Sequence, residues 1–184
     1  MLDKIILGLL QFSEHSAYSL QKTMQQSTGF FYGASQGNIN PTLKRLNAAK
    51  LVKTRPAATG KRKSVLYALT NTGQEAFDAW LSESIAVGRV RDDALVKLFF
   101  MGQMSPAAIG KNLGHFCEEL KTTGQALKLF KDEIQDNLKG RKPTDAERFR
   151  LETLNYGIDF YDFNLRWYEN LAKREAAIER SSQK

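Results

Sequence analysis

Eight cations stand between residues 44 and 63 with no acid among them: Lys44, Arg45, Lys50, Lys53, Arg55, Lys61, Arg62 and Lys63. A patch of this kind is suited to neutralising phosphates on a nucleic acid or charges on another anionic surface. A solvated basic face would have the same composition, so charge alone does not choose between them. Other reactive side chains are sparse. Histidine occurs twice, at His15 and His115, and cysteine once, at Cys117. These residues form neither a metal-ligand spacing nor a nucleophile–base set, and the chain has no phosphate-binding glycine loop and no nucleophile elbow. Cys117 has no partner for an internal disulfide and reads as a packed apolar residue in a reducing compartment. No enzyme activity, metal or cofactor is expected.

The charge is unevenly distributed. The 184 residues carry a net charge of +7. Residues 1–80 hold 10 basic and 4 acidic residues, a net of +6, while residues 81–184 hold 17 and 16, a net of +1. The apolar share of 42% and charged share of 26% are ordinary for a globular protein. No apolar run approaches the ~18 residues of a membrane span. The start, Met1-Leu2-Asp3-Lys4-Ile5, lacks a small-residue cleavage site. A cytoplasmic protein with no membrane association is predicted, with a boundary near residue 84: 1–84 as one domain and 85–184 as another.

The elements that must position the patch read as helix, helix, helix, hairpin, helix. Ile5, Ile6, Leu9 and Leu10 make a short apolar helix. Ser16 suits the N-cap of a second helix carrying Tyr18, Leu20 and Met24, with Gly29 as a left-handed cap at its end. A third helix from Ser35 places Ile39, Leu43 and Leu46 on one stripe. Pro41 falls inside that helix, so Asn40 as N-cap with Pro41 as first residue is an open alternative. Residues 51–55 and 64–69 alternate as two strands of a hairpin whose tip carries Lys61, Arg62 and Lys63. Thr70 or Asn71 caps a fourth helix. This is the order of a winged helix-turn-helix. Opposite the apolar stripe, the third helix presents Gly37, Lys44 and Ala48, flanked by Asn38, Asn40 and Arg45. Asn can pair with adenine edges, and Lys or Arg with guanine or phosphate. The basic tip would suit a backbone or minor-groove contact.

Those residues also carry a resemblance. Ile6-Leu7-Gly8-Leu9-Leu10, Tyr18-Ser19-Leu20, Phe30-Phe31, the run from Ser35 to Leu46, Leu51-Val52 and the run from Tyr67 to Gly73 together resemble the PadR family of transcriptional regulators. Asn40, Ala17 and the proline-free wing tip depart from its usual pattern. The resemblance implies a dimer on an inverted-repeat operator, more often a repressor, with Tyr18, Ser35, Gln36, Asn38, Asn40, Lys44 and the wing cations in contact with double-stranded DNA. Half-sites would lie about one or two turns apart, each ~10 bp.

The second half reads as a pairing device. Asp92-Asp93 opens an apolar helix, and Ser105-Pro106 opens a long one. In that helix Ile109, Phe116, Thr123 and Phe130 alternate with Leu113, Leu120, Leu127 and Ile134 in steps of four and three, a coiled-coil-like seam that needs another helix. Gly124 marks a bend or a close approach. Thr144 with Glu147 forms a capping box for a last helix to about Glu179. One stripe of that helix holds Phe149, Tyr156, Phe160, Phe163 and Trp167, and a second holds Leu151, Leu154, Ile158, Tyr161, Leu165 and Tyr168. Two stripes imply burial on two sides, one within the subunit and one across a homodimer. Ile109, Leu113, Phe116, Leu120, Leu127, Phe130 and Ile134 of the seam, with Phe163 and Trp167, are the expected dimer contacts. Asp92-Asp93-Ala94-Leu95-Val96-Lys97-Leu98-Phe99-Phe100 followed by long helices is similar to the virulence-activator-alpha region of longer PadR relatives. A small aromatic or phenolic effector is consistent with that family, with Asp159 and Asp162 as polar candidates, although its pocket residues stay unassigned. The alternative to a DNA-binding regulator is a winged-helix protein–protein interaction module assembled through the heptad helix.

Overall fold

The computed structural model describes residues 1–29, 31–32, 36–57, 65–88 and 92–182, with the backbone alone for Gln36 and Ser182. The chain is mainly helical and divides into two units, Met1–Gly88 and Arg89–Lys184.

The first unit runs α1 Leu2–Leu10, β1 His15–Ser16, α2 Ala17–Ser27, α3 Gln36–Ala48, β2 Val52–Pro56, β3 Val65–Leu69 and α4 Asn71–Leu81. Short side chains start its helices. Ser16 Oγ accepts from Ser19 N at 3.1 Å while Ser16 N donates to Ser19 Oγ at 2.8 Å, a reciprocal box that opens α2. Thr70 Oγ1 accepts from Gly73 N at 3.0 Å and opens α4. Gly73 cannot carry a side chain, because a Cβ there would lie 2.0 Å from the Leu51 carbonyl oxygen. The core collects Ile6, Leu7 and Leu10 of α1, Leu20 and Met24 of α2, Ile39, Leu43 and Leu46 of α3, and Val52 of β2.

Three local expectations change in this unit. The hairpin is part of a three-stranded antiparallel sheet of order β1-β3-β2, with Ser16 opposite Leu66 and Leu66 opposite Arg55. Helix α3 begins at Gln36 with Pro41 inside it, so Asn40 is not its N-cap. Pro41 lies on the exposed face, where solvent can reach the Gly37 carbonyl that the imide nitrogen leaves unbonded. Helix α2 ends at Thr28, whose N donates to Met24 O at 2.9 Å, and Gly29 has no left-handed backbone. The left-handed residue is Lys50, at φ 57°. Leu51 N donates to Leu46 O and Lys50 N to Asn47 O, both at 3.0 Å, closing α3 in a Schellman motif.

The second unit consists of α5 Asp93–Phe100, a 3-10 turn Met101–Gln103, α6 Pro106–Asn137 and α7 Asp145–Ser182, three residues beyond the expected end. Asp92 caps α5 through Ala94 N at 2.8 Å. Ser105 caps α6, with Pro106 in its first turn. Thr144 and Glu147 form the capping box of α7, Thr144 N donating to Glu147 Oε2 at 2.9 Å. Gly124 is a close approach: a Cβ there would lie 3.3 Å from Tyr161 Cβ.

Within this unit α6 packs along α7, and this corrects the reading of the heptad. Leu113 and Leu120 are buried with Tyr168, and Ile109, Phe116, Tyr161 and Leu165 pack around them. Leu113 and Leu120 therefore leave no surface for a partner. Leu127 and Ile134 are half-buried, and Phe130 is exposed. The two stripes of α7 separate cleanly. Leu154, Ile158 and Tyr168 are buried, whereas Phe149, Tyr156, Phe160, Phe163 and Trp167 stand on the surface.

Candidate nucleic-acid interface

Helix α3 divides by face. Ile39, Leu43 and Leu46 point into the core, and Thr42 is buried beside them with its hydroxyl donating to Asn38 O at 2.8 Å. Gly37, Asn38, Asn40, Lys44, Arg45 and Ala48 are exposed. The inner stripe is anchored at three successive turns, so the amide and ammonium groups of Asn38, Asn40 and Lys44 are presented from a fixed helix. The α2 start is similarly rigid, and Tyr18 projects from it with 70% of its surface exposed.

Arg45 and Arg55 are already engaged. The Arg45 guanidinium lies 3.9 Å from the Asp3 carboxylate of α1. Arg55 on β2 donates from Nε to Glu14 Oε2 at 2.8 Å and from Nη2 to the same oxygen. That contact holds the Glu14 carboxyl below its ordinary range, with nearby Lys53 adding to the attraction. Asp3 and Glu14 are two of the four acids in residues 1–80. Sequence reading finds the two arginines as members of a basic run but misses their partners. Each acid is distant in sequence from its arginine, and no local pattern links them.

His15 sits at the junction of β1 and α2. Its Nε2 is 3.0 Å from Ser13 Oγ and its Nδ1 is 3.2 Å from Ser19 Oγ, so it braces the box that starts α2. Partial burial lowers its pKa, which favours a neutral ring.

Of the expected contact residues, Tyr18, Asn38, Asn40, Lys44 and Arg45 lie on exposed faces of α2 and α3 in the same unit. Ser35, Lys61, Arg62 and Lys63 lie outside the described residues, as does the side chain of Gln36. Among the candidate effector groups of the second unit, Asp162 is held by Lys128 Nζ at 2.8 Å, while Asp159 is exposed. Among the described residues, no group of three metal-ligating side chains comes together and no helix is long and apolar enough to cross a membrane.

Comparison with known proteins gives the same division. Residues 6–79 match the transcriptional regulator PadR-like family, and residues 90–174 match the virulence activator alpha C-terminal region. The negative transcriptional regulator PadR of Bacillus subtilis is 27% identical over 137 residues, covering 73% of this chain and 66% of that protein, slightly less than two thirds of its length. The crystal structure of that regulator in complex with operator DNA superposes with a TM-score of 0.83 at 21% identity, covering 95% of this chain and 97% of the other. Its complex with p-coumaric acid gives 0.75 at 20% identity, covering 95% and 98%. The Vibrio cholerae virulence activator AphA also gives 0.75 at 20% identity, covering 97% and 99%. The structural likenesses establish the fold. The two family matches leave only residues 80–89 between them: the chain carries a PadR-like transcriptional regulator domain followed by a virulence activator alpha C-terminal region.

Proposed function

We propose that this regulator binds double-stranded DNA as a homodimer and represses transcription by occupying an inverted-repeat operator. The observation that carries the reading is the division of α3: Asn38, Asn40 and Lys44 stand outward on a helix whose Ile39, Leu43 and Leu46 are locked in the core. The relative from Bacillus subtilis supports it, being named a negative regulator and having been seen on operator DNA. The exposed aromatic stripe of α7 supports the homodimer. Five large aromatic residues in one row are far more apolar surface than a monomer ordinarily leaves open. In this reading Phe163 and Trp167 are dimer contacts and Leu113 and Leu120 are not. The protein works where the chromosome is, in the cytoplasm, and acts by occupancy without catalysis.

A small aromatic acid is the proposed effector class, by analogy with the p-coumaric acid complex of the Bacillus regulator. Such a ligand would act by changing the relative populations of DNA-competent and incompetent dimers.

Fluorescence anisotropy on a duplex from the gene's own upstream region tests the DNA reading. Log affinity should fall linearly with log salt concentration, by about 0.9 per phosphate contacted. Lys44→Glu should weaken binding. Weak binding with no salt dependence would rule the reading out. Melting curves with a panel of phenolic acids test the effector, because a ligand of the native state raises Tm.

A further inference from the structure

We infer that Glu14 competes with DNA phosphate for Arg55, holding the wing arginine against the sheet in the free protein until DNA takes it over. The inference rests on the DNA-binding reading above and adds to it a residue that restrains affinity.

The strand register supplies the geometry. Arg55 of β2 lies opposite Leu66 of β3, and Leu66 lies opposite Ser16 of β1. Glu14 stands two residues before Ser16. Alternation along a strand therefore places Glu14, Ser16, Leu66, Ala68, Lys53 and Arg55 on one face of the sheet. The opposite face carries Val52, Tyr67 and Leu69, which pack on the core. The ion pair thus reaches over the central strand, across two strand spacings of about 4.8 Å each. It is formed through the Nε and Nη2 edge of the guanidinium, the same fork that takes a phosphate.

The arginine is well placed to change partners. Its side chain is half exposed, and so is that of Glu14 by about a third. Arg55 is at the base of the wing, two residues after Lys53 and six before Lys61. An exposed carboxylate–guanidinium pair is weak in water and weaker with salt. A duplex laid against the wing brings a phosphate of equal charge within a field of further cations, so exchange is downhill. The carboxylate left behind then faces the duplex unpaired, and this repulsion, together with the broken pair, sets the cost that Glu14 imposes on binding.

The test is a double-mutant cycle read by duplex affinity across a salt series, using Glu14→Gln, Arg55→Gln and the double variant. Glu75→Gln on α4 serves as a control for loss of one negative charge. Glu14→Gln should bind about two- to five-fold more tightly at low salt, the range expected for release of an exposed pair. In the Arg55→Gln background only the repulsion of the duplex is left to relieve, so the gain from Glu14→Gln should shrink well below its value in the wild-type background. An equal gain in both backgrounds would reduce Glu14 to an ordinary surface charge and overturn the inference. Unchanged or weaker binding by Glu14→Gln in the wild-type background would overturn it as well. If the wild-type chain itself shows no salt-dependent binding, the DNA-binding reading falls, and this inference falls with it.

Discussion

The two units use their apolar residues in opposite ways. In the N-terminal unit three helices and a strand close around Ile6, Leu7, Leu20, Ile39, Leu43 and Val52, all almost wholly buried, and the outer face of α3 is amide and basic. Among the described residues of the C-terminal unit, only Leu113, Leu120, Leu154, Ile158 and Tyr168 are buried large apolar side chains. Phe99 is 82% exposed and Phe163 is 58% exposed. A pair of helices has one mutual face, so a second apolar stripe on either has nowhere to go within the unit. The contrast separates a part that completes its own core and turns charge outward from a part that leaves a row of large apolar side chains uncovered. The charge agrees, with +6 in the first 80 residues and +1 in the other 104.

The largest effect that would break this contrast is at the aromatic stripe. Phe163→Glu with Trp167→Glu should disrupt the proposed dimer. Buried interface aromatics each contribute about 2 kcal/mol or more, so the pair should weaken dimerisation by about 4 kcal/mol, roughly a thousand-fold. Sedimentation over a concentration series measures this. Retention of a dimer of wild-type affinity would place the interface elsewhere. DNA with two half-sites should lose much more affinity than DNA with one, because two linked binding events become independent.

Next comes the self-sufficient core. Leu43→Ala should destabilise the N-terminal unit by about 3 kcal/mol, the transfer and cavity cost of a fully buried leucine. Denaturant titration should find that loss independent of protein concentration, whereas the effect of the stripe variants should depend on it through mass action. A Leu43→Ala loss that vanished at high concentration would mean that the first unit also leans on a partner.

What the sequence disclosed follows the same line. The stripe of Ile39, Leu43 and Leu46 was legible because helix periodicity is a local signal, and so were the caps at Ser16, Thr70, Ser105 and Thr144, where a short polar side chain meets its own backbone. Strand β1 was not, since two residues have no period and their partners Leu66 and Tyr67 lie some 50 positions away. The left-handed turn at Lys50 was hidden by a residue type that rarely adopts it. The seam of α6 was legible as a seam but not as to its partner. A heptad shows that a helix must be covered, and only the fold shows α7 of the same chain covering Leu113 and Leu120. The ion pairs Asp3–Arg45 and Glu14–Arg55 join residues about 40 apart, beyond any local rule.

A smaller effect concerns the completeness of the C-terminal core. The hydroxyl of Tyr168 is buried without a hydrogen-bond partner among the described residues, and its ring stacks edge-on against Phe116 at 4.8 Å between centroids. Tyr168→Phe keeps the ring and removes the unsatisfied group. It should raise stability by about 1 kcal/mol, as measured by thermal melting of the full chain. A loss instead would show that the hydroxyl finds a partner in the assembled protein, through the second copy or a bound ligand.

The smallest effect distinguishes how the helices of the two units are started. In the N-terminal unit α2 and α4 are capped by the hydroxyls of Ser16 and Thr70, which do not titrate. In the C-terminal unit Ser105 caps α6 in the same way, but α7 is started by the Thr144 hydroxyl together with a carboxylate. Glu147 receives Arg141 Nη1 at 2.9 Å, then Thr144 N and Thr144 Oγ1 at 2.9 and 3.0 Å. The Arg141 contact first, and the Thr144 hydrogen bonds after it, bring its pKa from an ordinary 4.5 to about 2. A carboxyl depressed in the folded state contributes its stability above the unfolded pKa and loses it as pH falls through the folded one. The contribution should therefore fade between pH 4.5 and about 2. Glu147→Gln keeps the capping-box shape and removes the charge. Wild type should melt above this variant at pH 6, and the gap should close on acidification to pH 2. A gap that stays constant across that window would mean that Glu147 holds the α6–α7 turn by shape alone, with no share from its charge.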